Sequence, residues 1–114
     1  MKKRSKYGNK KITFNGMTFD SQKEFNRYGE LMLLQRAGRI KDLQRQVPYL
    51  LIPTQKDGRG RVIFRETKYI ADFVYFDRDR NRWVVEDVKG VKTEVYRIKK
   101  KLMYLQHGLL VEEV

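Results

Sequence analysis

Tyr69-Ile70-Ala71-Asp72-Phe73-Val74-Tyr75-Phe76, the turn residues Asp77 to Arg82, and Trp83-Val84-Val85-Glu86-Asp87-Val88-Lys89-Gly90 decide how this chain folds. With the two-residue period of a strand, Ile70, Asp72, Val74 and Phe76 share one face, and Tyr69, Ala71, Phe73 and Tyr75 share the other. Both faces are apolar, which predicts a central strand covered on both sides. Asp72 is the only charge in it. An unpaired buried carboxylate costs several kcal/mol, so Asp72 must be paired, protonated or bound to a cation. In the next strand Val85, Asp87 and Lys89 point one way, and Val84, Glu86 and Val88 the other. Asp87 and Lys89 are then same-face neighbours ~7 Å apart. A tight Asp77 to Arg82 turn lets Asp87 approach Asp72. Two crowded carboxylates repel unless a cation separates them, and hard oxygen donors select Mg²⁺ or Mn²⁺. The plainer alternative is a set of salt bridges, including a Lys89–Asp87 pair.

Working outward, Ile12-Thr13-Phe14 and Met17-Thr18-Phe19 flank Asn15-Gly16, a two-residue hairpin signal. Asp20-Ser21 opens a helix with the capping box Ser21-x-x-Glu24, and Ala37-Gly38 ends it. Phe25, Tyr28, Leu31 and Met32 form its expected buried stripe. Glu24 falls inside that apolar arc, so it is expected to face the sheet as well as cap. Leu43 to Ile52 reads as a strand, with Pro48 marking an edge or a bulge. Thr54 to Arg61 is a loop or hairpin tip, and Val62-Ile63-Phe64 is strand-like. Thr93 to His107 reads as a helix with Val95, Ile98, Leu102 and Leu105 on one face and Gly108 as its cap. Leu109 to Val114 reads as a last strand. After the hairpin the order is α-β-β-β-α-β.

The chain has 114 residues with 26 Lys+Arg, 14 Asp+Glu, one His and no Cys, a net charge of +12. That length predicts one domain with one core. Seven Tyr, six Phe and one Trp are too many aromatic residues for a disordered polycation. Without Cys there is no disulfide, Cys-based zinc site or thiol nucleophile, and the lone His107 removes any two-His metal site. No apolar run exceeds four residues, Tyr49 to Ile52 among them, which is too short to span a bilayer, and no signal peptide is expected. The reading is a cytoplasmic protein with no membrane partner. The positive charge is concentrated. Met1 to Lys11 holds six basic residues and no acid, while Lys89 to Lys101 holds six and one acid. Nucleic acid is the expected partner. Its backbone would be held by Lys2, Lys3, Arg4, Lys6, Lys10 and Lys11 in the arm, and by Lys92, Thr93, Tyr96, Lys99 and Lys100 around the second helix. Gln46, on the strand after the first helix, is a further candidate to orient a phosphate or water.

Glu24, Asp72 and Asp87-Val88-Lys89 together resemble the PD-(D/E)XK, or restriction-endonuclease-like, nuclease superfamily. More closely, Phe19-Asp20-Ser21-x-x-Glu24, Tyr69-Ile70-Ala71-Asp72-Phe73 and Glu86-Asp87-Val88-Lys89-Gly90 are similar to a family of short phage-encoded proteins of this fold. The resemblance implies an α+β domain with an αβββαβ core, a central mixed sheet flanked by helices. Here residues 1–11 would be a flexible basic arm, 12–19 a hairpin and 20–114 the core of one nuclease domain. It also implies Mg²⁺-dependent hydrolysis of phosphodiester bonds, with Mn²⁺ able to substitute. Asp72 and Asp87 would ligate metal, Glu24 would complete the site, and Lys89 would position the attacking water. Ala71 stands where the motif name has Pro. Glu86, beside Asp87, is the fallback ligand should a bulge exchange the two.

The expected substrate is DNA, with RNA left open. So small a domain favours recognition of branched DNA or a Holliday junction over sequence reading. The setting would be phage DNA processing in the host cytoplasm, and a symmetric junction cutter would act as a homodimer. The alternatives are a non-catalytic nucleic-acid-binding protein on the same fold and a basic structural protein of a ribonucleoprotein or virion.

Overall fold

The computed structural model describes residues 10–88 and 91–114. The arm residues Lys2, Lys3, Arg4 and Lys6, and also Lys89, lie outside the described residues. A hairpin of β1 (Ile12–Phe14) and β2 (Met17–Phe19) opens the fold. Asn15 and Gly16 both take positive φ, 50° and 76°, the geometry that a tight hairpin turn requires. Helix α1 (Gln22–Arg36) follows, capped by the Ser21 hydroxyl, which accepts the Glu24 N–H at 3.1 Å. The Glu24 carboxylate accepts the Asp20 N–H at 2.9 Å, one residue before the usual capping-box partner.

Strand β3 (Ile40–Ile52) begins three residues ahead of the expected Leu43. It leads into a separate small hairpin of β4 (Gln55–Lys56) and β5 (Val62–Phe64). Strands β6 (Thr67–Asp77) and β7 (Arg82–Asp87), helix α2 (Glu94–His107) and β8 (Val111–Glu113) complete the chain. The main sheet has the order β3-β6-β7-β8. It is antiparallel except for the β7–β8 pair, which is parallel because α2 crosses over between them. This is the expected α+β architecture, a mixed four-stranded sheet with two helices. Pro48 is tolerated because β3 is an edge strand. Among the described residues no helix is long and apolar enough to cross a membrane.

Each face of the sheet carries its own core. Leu31 of α1 packs with Ile40, Phe73, Tyr75 and Val84 on one side. On the other, Tyr96 and Met103 of α2 pack with Leu51, Tyr69, Ala71, Val74, Val85 and Val111. Strand β6 is therefore central and covered on both faces, as its composition implied. Its strict alternation, however, is corrected. Tyr69 and Ala71 lie with Val74 in the α2 core, whereas Phe73 and Tyr75 lie in the α1 core. The strand changes face at Asp72. The opposing strand is irregular at the same place, because Gln46 has a φ of 52° and lies between the pairs Arg45–Phe73 and Val47–Ala71. Paired irregularities of this kind let a strand turn over without losing its neighbour.

A second correction concerns α2. Its buried residues are Tyr96 and Met103, while Val95, Ile98 and Leu105 of the expected core stripe are exposed. In α1, Leu31 is fully buried, and Phe25, Tyr28 and Met32 are half-buried. Helix α1 is fixed by aromatic contacts. Phe25 meets Phe14 and Phe19 edge-on, with ring centres 5.6 and 5.3 Å apart, and Tyr28 stacks on Phe73 at 6.3 Å. It is also fixed by charge. Arg27 Nε donates to Glu86 Oε1 at 2.8 Å and its Nη2 to Oε2 at 2.6 Å, while the Tyr75 hydroxyl donates to the same carboxylate. Glu86 is only 2% exposed, so losing the guanidinium strands a buried charge. Arg27→Met should lower unfolding free energy by about 3 kcal/mol, and the pair Arg27→Met with Glu86→Leu should recover most of it in urea denaturation.

Candidate active site

The change of face at Asp72 coincides with the end of a ladder. Strands β6 and β7 pair from Asp77–Arg82 as far as Phe73–Glu86 and then part. At the fork, Asp72 Oδ2 accepts the Val88 N–H at 2.7 Å, so a side chain replaces the next rung of backbone pairing. Residues on either side of Asp72 point to opposite cores. Its carboxylate therefore lies between the layers, in reach of groups from both.

From the α1 side comes Glu24, 3% exposed and facing inward as its position in the apolar arc implied. Gln46 joins it to Asp72. The Gln46 amide donates to Glu24 Oε1 at 3.0 Å and to Asp72 Oδ1 at 3.2 Å. Arg45 Nη2 stands 4.0 Å from Glu24 Oε1, with its guanidinium 4.0 Å above the Phe19 ring. From the α2 side comes Asp87, 1% exposed, whose Oδ2 accepts the Tyr69 hydroxyl. Among the described residues, an amide and a backbone N–H are the hydrogen-bond donors to Asp72, and neither is a cation.

The electrostatics follow from this placement. Burial pushes the Asp72 carboxyl up to about 7; the Val88 N–H opposes the shift, and the charges of Asp87 and Glu24 add to it. Burial also raises Glu24, against the lowering effects of the Asp20 N–H, Arg45 and Gln46. The Tyr69 hydroxyl is raised by its own burial and by donating to Asp87.

Glu24, Asp72 and Asp87 are thus gathered around one fork. Even so, among the described residues no three His, Cys, Asp or Glu side chains stand close enough together to hold a metal ion as they are. The Gln46 amide separates Glu24 from Asp72, and Asp87 is turned toward Tyr69. Glu86, the fallback ligand, is not brought to the fork. Strand β7 keeps its alternation, so Glu86 faces α1 and is held by Arg27 and Tyr75. Nothing in the sequence singled out Arg27, although it lies one helical position beyond the buried stripe. The apolar pattern of β6 gives Tyr69 a core position and no sign of its bond to Asp87.

A cleft of about 430 Å³ adjoins the site, lined by Lys23, Asn26, Arg27, Glu30, Val88 and Val114. The basic candidates divide. Lys10 and Lys11 are exposed. Thr93 caps α2 by accepting the Tyr96 N–H at 3.1 Å. Tyr96 is 5% exposed and bonded to Glu113, so it offers no ring face to a polyanion. Lys92 and Lys100 reach Glu113 at 3.0 and 3.2 Å. Hydrogen bonds from Lys92 first, and then from Tyr96, hold the Glu113 carboxyl down at about 2. Lys99 is half-buried and Lys101 exposed.

Fold and site together define a mixed α+β domain with a carboxylate cluster where two central strands part. The model of the family described as Protein of unknown function (DUF1064) matches residues 4–111, so the chain belongs to that family. No curated protein and no solved structure matches it.

The raised Asp72 pKa carries a stability signature. The metal-free native protein keeps a proton on Asp72 that the unfolded chain, at an ordinary value of 3.8, has released, up to about pH 7. Stability should therefore fall as pH rises from about 4 to about 7. Asp72→Asn should flatten that slope in thermal melts taken across the window.

Proposed function

We propose that the chain is a Mg²⁺-dependent nuclease that hydrolyses phosphodiester bonds in DNA, with branched DNA or a Holliday junction as the preferred substrate. The observation that carries this reading is the position of Asp72. Its carboxylate is held at the strand fork beside two other carboxylates, and its donors among the described residues are neutral. Repulsion of this kind costs stability, and a fold tolerates it where a divalent cation can neutralise it.

The donor chemistry fits Mg²⁺: carboxylate oxygens from Asp72 and Asp87, the buried Glu24 behind them, and no Cys or described His at the site. When bound, Mg²⁺ would supply Lewis acidity toward the phosphodiester. The chain's own residues do the rest. Asp72 and Asp87 would hold the cation, and the Tyr69 hydroxyl fixes the orientation of Asp87 by donating to it. Gln46 aligns Asp72 with Glu24, and Arg45 offsets part of the Glu24 charge. Lys89, two residues beyond Asp87, supplies positive charge to the phosphate as negative charge builds on it. The exposed Lys10 and Lys11 with the arm residues Lys2, Lys3, Arg4 and Lys6 grip the backbone, and Lys99 adds to this. Lys92 and Lys100 contribute less, because Glu113 already offsets them. Neither the arm nor α2 reads bases, which favours selection by DNA shape. The setting that the resemblance implies, phage DNA processing in the host cytoplasm, belongs to this proposal.

The test is cleavage of labelled linear duplex, branched DNA and single-stranded RNA with Mg²⁺, with Mn²⁺ and with EDTA. Cleavage of branched DNA should require the metal. Asp72→Asn and Asp87→Asn should each lower kcat by about 10³ or more, and Lys89→Ala by about 10². Undiminished cleavage by both carboxylate variants would contradict the site. Metal-independent DNA binding without cleavage would support a binding protein on the same fold.

A further inference from the structure

The β4–β5 hairpin has no core of its own. From Pro53 to Glu66 every residue is exposed except Asp57, which is half-buried, and neither core of the main sheet includes any of them. Val62 and Phe64 point to one side of the ribbon and Ile63 to the other. Val62 is 50% exposed, Ile63 55% and Phe64 62%, so both sides are apolar and open. A bare two-stranded hairpin is marginal in water, and this one is held by its turn instead. The Asp57 carboxylate accepts the N–H groups of Arg59 and Arg61 at 2.8 and 3.0 Å and pairs with the Arg61 guanidinium at 3.0 Å. Glu66, the other acid, stands 3.7 Å from Lys68. Lys56, Arg59 and Arg65 are exposed, and none of them forms an ion pair among the described residues.

We propose that this hairpin is a wedge for branched DNA: Phe64 stacks on a base exposed at the branch, while Lys56, Arg59 and Arg65 take the phosphates around it. The inference rests on the DNA reading above and not on catalysis. Charge selects the occupant. Cations that flank an aromatic ring suit a ligand made of flat apolar faces bordered by phosphates. The shape of the ribbon narrows the choice. Apolar side chains on opposite sides cannot both face one flat surface, such as a bilayer, but both make contact when the ribbon enters a gap. In a continuous duplex the base faces are stacked on one another, and only base edges line the grooves. A branch interrupts the stack and uncovers base faces, the kind of surface that apolar wedge residues contact. The hairpin is also placed to reach the same molecule as the fork. It leaves the main sheet between Ile52 of β3 and Thr67 of β6, the strand that carries Asp72. From Asp72 to Thr67 is ~17 Å of strand, about half a turn of duplex.

Fluorescence anisotropy of a labelled four-way junction and of a linear duplex, titrated with the full chain in EDTA, tests it without cleavage. Wild type should bind the junction more tightly than the duplex. Phe64→Ala should weaken junction binding about ten-fold or more and duplex binding by less than about two-fold. Arg59→Ala with Arg65→Ala should weaken both and lower the salt dependence by about two phosphate contacts. Leu33→Ala, exposed on α1, should change neither. The absence of cysteine supplies a second measurement. A photoreactive aryl azide attached through Phe64→Cys should cross-link to nucleotides at the branch. Junction binding unaffected by Phe64→Ala, or cross-links to a second copy of the chain in place of DNA, would overturn the wedge and leave the nuclease reading standing. Failure of wild type to bind either DNA would overturn the wedge together with the DNA reading.

Discussion

The hydrogen bond from the Val88 N–H to Asp72 Oδ2 is the constraint on which the rest of the molecule depends. A backbone N–H leaving a ladder must find another acceptor, and here it takes a carboxylate from the neighbouring strand. That substitution ends the β6–β7 pairing and allows the strands to part. It also holds Asp72 between the two cores. The face change in β6 and the positive φ of Gln46 opposite are the backbone cost of the same arrangement. Left-handed backbone at a residue other than glycine is stored strain, and strain of this kind concentrates at functional sites.

The two sides of the sheet treat their acids differently. Glu86 faces α1 and meets Arg27 in a two-pronged ion pair reinforced by Tyr75, which neutralises it and ties the helix to the sheet. Asp72 receives neutral donors among the described residues and feels the charges of Glu24 and Asp87. One carboxylate is satisfied; the other is held in tension. The adjacent acids Glu86 and Asp87 therefore have separate roles, set by nothing more than which way a strand points. Beside the site, where Glu113 pairs with Asp87 across β8 and β7, Glu113 gathers Lys92, Lys100 and Tyr96, so part of the basic charge at and before α2 is already balanced.

Much of this was legible in the sequence where local chemistry decides. Asn15-Gly16 forced the hairpin, Ser21 and Glu24 started α1, and the doubly apolar segment from Tyr69 to Phe76 required a central strand. A lone Asp within that strand marked the site before any geometry was known. Strict alternation failed at Asp72 because period-two reasoning cannot see an irregularity that depends on the opposite strand. The apolar stripe of α2 pointed to the core, but such a stripe does not say which surface will cover it, and Val95, Ile98 and Leu105 are exposed. Arg27 escaped notice because a half-exposed arginine on a helix resembles any solvated charge. Its partner Glu86 comes 59 residues later, and only the strand register brings them together.

The divalent cation proposed for the strand fork, on Asp72 and Asp87, has a direct test. Calorimetric titration of the full chain with Mn²⁺, at a pH above that at which Asp72 loses its proton, measures this without any assumption about substrate. Saturable binding is expected, lost in Asp72→Asn and retained in Lys10→Ala. Binding of equal strength in wild type and Asp72→Asn, or none in wild type, would contradict it.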